Sequence, residues 1–275
     1  MNADLHCHST ESDGLLPPRE VVARAAANGV ELLSLTDHDV TSGLEDARAE
    51  ARERGLRFVD GVEISVTWHA ATVHIVGLRI DPQSPPLREG LESIRRGRAT
   101  RAQGIAEGLS AAGISGSLEG ARRYADNSEL IGRAHFARFL VEAGRAPDVK
   151  HVFQRYLVKD RPGWVAHQWA SLQDAVGWIR SAGGVAVVAH PGRYKYERPE
   201  MREFLTEFRN CGGAGIEIVT GAHTPEQYHE FARSAREFGF LASRGSDFHG
   251  KGESHADLGT LPPLPEGLKP VWHDW

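Results

Sequence analysis

Cysteine is scarce: the 275 residues contain two, Cys7 and Cys211, enough for one bridge, and a chain this long needs none to hold a core. A disulfide framework is therefore excluded as the organising device. Long apolar runs are missing too, since no stretch approaches the roughly 18 residues that a membrane span requires. The amino end, Met-Asn-Ala-Asp-Leu-His, has neither the basic nor the apolar region of a leader. We expect a cytoplasmic protein that crosses no membrane, and no feature calls for an obligate protein partner. Repeats and biased tracts are absent as well; 40% apolar and 25% charged residues is an ordinary globular balance that excludes disorder and collagen-like structure. What the chain has in quantity is histidine, 14 in all, which puts metal chemistry first among the questions.

Short apolar runs alternate with helical patterns. The runs are Ala3 to His6, Leu32 to Thr36, Phe58 to Val66, Thr72 to Leu78, Gly184 to Ala189, Gly215 to Val219 and Phe240 to Ser243. One helix is expected from Pro17-Pro18 to Asn28-Gly29, and another from Ser42, as its N-cap, to Gly55. This alternation implies an α/β fold with a parallel sheet, open or closed into a barrel. It stops in the middle, where residues 87–170 read as helices only. That segment holds 14 Lys and Arg against 9 Asp and Glu, a net charge of +5, while the whole chain carries −5. We therefore divide the chain into a metal-binding barrel, 1–86 and 171–275, and a basic helical insertion, 87–170, that caps it for an anionic substrate.

His6 and His8 flank Cys7 at the end of the first run, and side chains two apart on a strand point the same way. The two imidazoles form a chelating pair while Cys7 packs behind them. Similar residues recur at or near other strand ends: His38 in Thr36-Asp37-His38-Asp39, Glu63 in Gly61-Val62-Glu63, His74 in Val73-His74-Ile75, His190 after Ala189, and Asp247 and His249 after Ser246. Taken singly, each histidine reads as a core or surface residue. Taken together they converge, because sites in parallel α/β folds lie beyond the carboxyl ends of the strands. Asp13 joins them by its nearness to His8 in sequence. Asp37 reads as a carboxylate that orients an imidazole. Imidazole and carboxylate donors without thiolate suit manganese, iron or zinc better than a closed structural zinc site, and manganese is the ion we expect.

These residues, in Asp4-Leu5-His6-Cys7-His8-Ser9, Ser12-Asp13-Gly14, Thr36-Asp37-His38-Asp39, Gly61-Val62-Glu63, His74-Ile75, Ala189-His190-Pro191 and Gly245-Ser246-Asp247-Phe248-His249, resemble the PHP (polymerase and histidinol phosphatase) family of metal-dependent phosphoesterases. The resemblance implies a distorted (β/α)7 barrel holding up to three divalent metal ions. It assigns His6, His8, Glu63 and Asp247 to one ion, a shared Glu63 with His74 and His190 to a second, and Asp13, His38 and His249 to a third. Some members carry histidine where Asp13 stands, so the third site is harder here. A bridging Glu63 would set two cations roughly 3.5–4 Å apart, with a bridging hydroxide that attacks phosphorus in line.

Within the insertion, Leu130-Ile131-Gly132-Arg133-Ala134-His135 and Tyr156-Leu157-Val158-Lys159-Asp160-Arg161 resemble the branch of that family acting on 3',5'-nucleoside bisphosphates such as pAp and, in some members, on the 5' ends of short RNA. The implied partner is a nucleotide or short oligonucleotide, and Arg133, His135, Lys159 and Arg193 are the candidate substrate contacts. His223 and His255 lie in loops that could reach the same face, and Trp164, Trp169 and Trp178 are expected in the core. Two other functions remain open: a histidinol-phosphate-type phosphatase, and a non-catalytic nucleotide-binding module.

Overall fold

Seven strands in chain order form one sheet in the computed structural model, which describes residues 1–275. They are β1 (Ala3–Asp4), β2 (Leu32–Leu35), β3 (Arg57–Trp68), β4 (Ala71–Leu78), β5 (Val185–Val188), β6 (Gly215–Thr220) and β7 (Leu241–Gly245). Every apolar run read from the sequence is a strand. The two edges then meet: the Leu5 amide donates to the Arg244 carbonyl (2.9 Å), the Asp247 amide to the His6 carbonyl (2.8 Å) and the His8 amide to the Phe248 carbonyl (2.9 Å). The sheet is thus a nearly closed barrel. Helices α1 (Pro18–Ala27), α2 (Leu44–Arg54), α7 (Leu172–Ser181), α8 (Arg198–Asn210) and α9 (Pro225–Phe238) pack their apolar faces onto it, through residues such as Val21, Ala47, Val176, Phe204 and Phe231.

Two local expectations are corrected. The sheet is mixed, because β3 runs antiparallel to β4, with Ser65 opposite His74, and β4 antiparallel to β5. Only His69 and Ala70 join β3 to β4, at φ 43° and 63°, and a two-residue hairpin with both positions left-handed leaves no room for a crossover. The N-cap of α2 is Gly43 rather than Ser42, whose hydroxyl instead donates to the Glu11 carboxylate.

The insertion comprises α3 (Pro85–Ala111), α4 (Ser117–Arg122), α5 (Arg133–Glu142), α6 (Val149–Val152) and a π-helical turn, Phe153–Leu157. It has its own apolar core, including Ile105, Leu109, Phe136, Leu140 and Leu157. The two cores share α3: Leu87, Leu91 and Ile94 pack with the barrel, while Ala102, Ile105 and Leu109 pack with the cap. Trp169 is buried and Trp178 packs on the barrel core, but Trp164 is 39% exposed and not a core residue.

Candidate metal centre

Each of the seven strands, or the turn that follows it, delivers an acidic or imidazole side chain to one end of the barrel. His6 and His8 follow β1, His38 follows β2, Glu63 lies in β3, His74 in β4, His190 after β5, Glu217 in β6, and Asp247 and His249 after β7. Asp13 comes in from the loop behind His8. All nine candidate ligands meet in four interlocking groups: His6, His8 and Glu63; His6, His190 and Asp247; His38, Glu63 and His74; and His8, Asp13, His38 and His249. Close backbone approach makes this possible. A Cβ on Gly245 would stand 2.3 Å from the His6 Cβ, and one on Gly14 would stand 2.5 Å from the His8 carbonyl oxygen.

The donor spacing fits a cation. Four donors about 2.1 Å from a tetrahedral centre stand roughly 3.4 Å apart. Here His6 Nε2 lies 3.2 Å from His8 Nε2, 3.3 Å from Glu63 Oε1 and 3.5 Å from Asp247 Oδ1, and His8 Nε2 lies 3.3 Å from both Glu63 Oε2 and Asp247 Oδ1. Glu63 also reaches His74 Nδ1 (2.9 Å), His190 Nε2 (3.0 Å) and His38 Nδ1 (2.9 Å). Asp13 Oδ1 lies 3.3 Å from His249 Nε2 and 3.9 Å from His38 Nε2. Several of these buried atoms have no hydrogen-bond partner: His8 Nδ1, Asp13 Oδ1, His38 Nδ1, Glu63 Oε2, His74 Nδ1 and Asp247 Oδ1. Buried polar atoms are rarely left so, and a set of them gathered in these groups is the arrangement that bound cations satisfy.

Burial opposes every charge here, and the neighbours decide the outcome. It pushes His8 down to about 3, helped by positive charge on His249 and His38, and His190 down to about 3, helped by Arg193. Both rings therefore offer lone pairs at neutral pH. Burial would raise the carboxyls of Glu63, Asp247 and Asp13, but the surrounding imidazoles outweigh it and hold all three well below the usual carboxylate range. Burial likewise opposes a charged His249, yet Asp13 brings that ring up to about 9.

A supporting layer fixes these groups. Glu217 accepts His6 Nδ1–H (2.8 Å) on one oxygen and the His190 amide (2.6 Å) on the other, which leaves His6 Nε2 to face the cluster. This residue was missed in the sequence. Its signal was a lone carboxylate in the apolar run Gly215-Ile-Glu217-Ile-Val219. Asp37 orients no imidazole: it accepts from the Ser9 amide and from the Ser9 and Ser12 hydroxyls, and so pins the loop that carries Asp13. His190 (φ 26°) and Asp247 (φ 55°) both hold left-handed backbone, a strain of about 1–3 kcal/mol each that the surrounding contacts must offset.

The candidate substrate contacts divide. Arg193 Nη1 lies 3.0 Å from Asp247 Oδ2 at the edge of the cluster, half exposed. Arg133 is largely buried across from it, packs over Phe153, and pairs with no carboxylate; burial and the charges of Arg193 and Arg98 lower its pKa. His135 is buried, accepts from the Gly132 amide at Nδ1, and is pushed down to about 4 by burial. Lys159 is exposed in a turn and forms no ion pair with the cluster. Another unassigned group is Arg101, 9% exposed, whose Nε has no partner and whose guanidinium lies over the Trp169 ring. Burial, with the neighbouring Arg133 and Arg98, lowers it to about 9. Arg98, by contrast, is neutralised by Asp39. His223 serves the backbone, linking the Ile218 carbonyl to the Gly192 amide, and does not face substrate space.

Comparison with known proteins matches residues 4–220 to the PHP domain model. The chain is 52% identical over 273 residues to a 3',5'-nucleoside bisphosphate phosphatase of Chromobacterium violaceum, covering 99% of this chain and 96% of the relative. It is 40% identical over 274 residues to the 5'-3' exoribonuclease Rnm of Escherichia coli, covering 99% and 93%. Among solved structures, an amidohydrolase from Chromobacterium violaceum with bound sulfate and no metal superimposes with a TM-score of 0.96 at 52% identity, covering 99% of this chain and 95% of that one. A metal-dependent phosphoesterase structure from Bifidobacterium adolescentis gives 0.84 at 27% identity, covering 98% and 93%.

Proposed function

The chain belongs to the PHP domain family, and from that premise we propose that it is a metal-dependent phosphatase removing one phosphate from 3',5'-nucleoside bisphosphates such as pAp, and acting by the same chemistry on the 5' ends of short RNA. The observation that carries the reading is a nine-donor cluster with the unpaired guanidinium of Arg133 beside it and a second, Arg101, next to Arg133 in a basic cap. A small monophosphate needs no second anion seat. In this reading residues 1–86 and 171–275 form the catalytic barrel, 87–170 form the substrate cap, and the enzyme works in the cytoplasm.

His6, His8, Glu63 and Asp247 would hold one divalent ion, Glu63, His74 and His190 a second, and Asp13, His38 and His249 a third, with manganese the preferred metal. Such ions, when bound, neutralise phosphoryl oxygens and bring the ionisation of water toward neutral pH. The protein side chains supply placement. With an ion at the cluster, Glu217 would accept the hydrogen bond from His6 Nδ1–H and leave Nε2 for the ion, and the low pKa values of His8 and His190 keep those rings deprotonated through neutral pH. Arg193, tethered to Asp247, approaches the phosphate being cleaved, while Arg133, Arg101 and the neutral His135 seat the other one, so that remote binding energy orients the reacting phosphorus. Lys159 stands outside this arrangement.

The test is phosphate release, with added Mn²⁺, from a nucleoside bisphosphate, a nucleoside monophosphate, histidinol phosphate and a short 5'-phosphorylated RNA. Preferential release from the bisphosphate is expected. Equal rates on histidinol phosphate would replace this reading with the small-molecule phosphatase, and no release from any substrate would leave a nucleotide-binding module.

A further inference from the structure

Helix α5 carries Arg133 and His135 at its start and is fixed to the cap core by Phe136, Ala137 and Leu140. Its other face meets the barrel. Arg138, 7% exposed, donates from Nη2 to the Asp13 carbonyl (2.6 Å), and from Nε and Nη2 to the two carboxylate oxygens of Glu253 (2.9 and 2.8 Å). One guanidinium thus joins the cap helix to two loops that carry candidate ligands. Those loops are also bound to each other: the Leu15 amide donates to the His249 carbonyl (2.6 Å), and Ser254 Oγ, next to Glu253, accepts from the His249 amide (2.7 Å). His135, one turn before Arg138, faces the same Ser12–Asp13 loop. None of the contacts of Arg138 reaches Glu63, His74 or His190.

We infer that Arg138 is a positioning residue that couples the Asp13, His38 and His249 donors to helix α5, so that an ion at those donors and the seating of Arg133 and His135 reinforce each other. The inference rests on the metal centre proposed above. Its direction follows from the geometry: Asp37 pins the start of the loop from within the barrel, but the group that holds the carbonyl of Asp13 itself, the residue whose carboxylate meets His38 and His249, belongs to the cap. Coupling of this kind is reciprocal, so whatever the cap adds to ion affinity, the ion adds to the order of the cap.

The experiment titrates Mn²⁺ into the full chain and into Arg138→Ala, Arg138→Lys and Glu253→Gln. It measures bound metal per chain and, separately, hydrogen exchange across residues 133–142. Arg138→Ala is expected to bind one ion fewer at limiting Mn²⁺, with that ion weakened about 10- to 100-fold and the others unchanged. Mn²⁺ should protect α5 in the parent and not in Arg138→Ala. Arg138→Lys, which keeps the charge but not the fork, should fall between. A lower melting temperature with parental metal content and parental Mn²⁺-dependent protection would mean a purely structural strut and overturn the inference. Should Arg138→Ala fail to fold, Glu253→Gln decides by the same two readouts, unchanged values in both being fatal. A parent chain that binds no divalent ion overturns the metal centre itself, and the coupling with it.

Discussion

Replacing Glu217 by glutamine changes one oxygen to an amide in a fully buried position and tests how the barrel sets its ligands. The two carboxylate oxygens accept from two donors, His6 Nδ1–H and the His190 amide. Glutamine has one oxygen to offer. If that oxygen serves the His190 amide, the NH₂ group faces His6 and drives its proton to Nε2, the atom that faces the cluster. If it serves His6, the NH₂ group meets the His190 amide head-on, and the left-handed turn at His190 loses its anchor. Either outcome removes one charge-assisted hydrogen bond and leaves a buried donor unpaired, about 1.5–3 kcal/mol, or roughly 10- to 150-fold in metal affinity. The assay is Mn²⁺ binding against a competing chelator, with hydrolysis of an aryl phosphate measured alongside and near-ultraviolet circular dichroism to confirm the fold. Both affinity and turnover at limiting metal should fall, and excess Mn²⁺ should restore part of the rate. Parental Mn²⁺ affinity in Glu217→Gln would refute the claim that this carboxylate sets the His6 tautomer.

Asp247→Ala should abolish turnover while the chain stays folded, because the cluster loses an anionic donor without losing core packing; parental turnover with unchanged metal content would sink the first ion site. Arg133→Ala and Arg101→Ala should each lower kcat/KM for a bisphosphate by about 10- to 150-fold and leave an aryl phosphate nearly unaffected, whereas equal losses on both substrates would remove the two-anion model. In the metal-free protein His249, brought up to about 9 by Asp13, adds stability that is full below about pH 6.5 and fades as pH rises through 9. Thermal melts of the chelated protein should show this slope, and Asp13→Asn should flatten it. His8 and His190, both near 3, act in the opposite window: the unfolded chain takes up protons that the fold refuses, so the same protein should also weaken as pH falls from about 6.5 toward 3. Flat melts across that range would contradict the burial of neutral rings.

The strands were legible because a buried barrel strand has little choice of residues: Leu32-Leu33-Ser34-Leu35 and Val185-Ala-Val-Val188 carry their burial in their composition. The candidate ligands, which the structure gathers at one end of the barrel, were legible because metal chemistry restricts residue type and strand ends restrict place. What did not show had weaker local marks. The β3–β4 hairpin turns on His69 and Ala70, neither of which advertises a left-handed conformation as Asn-Gly would, so the antiparallel pair passed for another parallel step. Glu217 acts through His6, more than two hundred positions away in sequence, and no spacing rule links them. Arg101 sits in a helix already rich in arginine, and only packing separates it from Arg98, which has a carboxylate partner, or from the exposed Arg96. Asp37 shares its motif with His38, yet its partners are the Ser9 amide and the Ser9 and Ser12 hydroxyls rather than a ring, a matter of side-chain direction that sequence does not record.

The seam between β1 and β7 has a consequence for how the molecule comes into being. His6 and His8 are made first, Asp247 and His249 almost last, and the two edges that carry them are joined to each other across that gap. Contacts so distant along the chain form late, after the loop between them has been closed. A chain released before Leu241 would already contain seven of the nine donors, yet β1 and β6 would each lack a neighbour and present unpaired backbone to other chains. Damage to the C-terminal strand is therefore felt at the opposite end of the sequence: the loss of the Asp247 and His249 donors beside His6 and His8 and the exposure of an aggregation-prone edge are a single event.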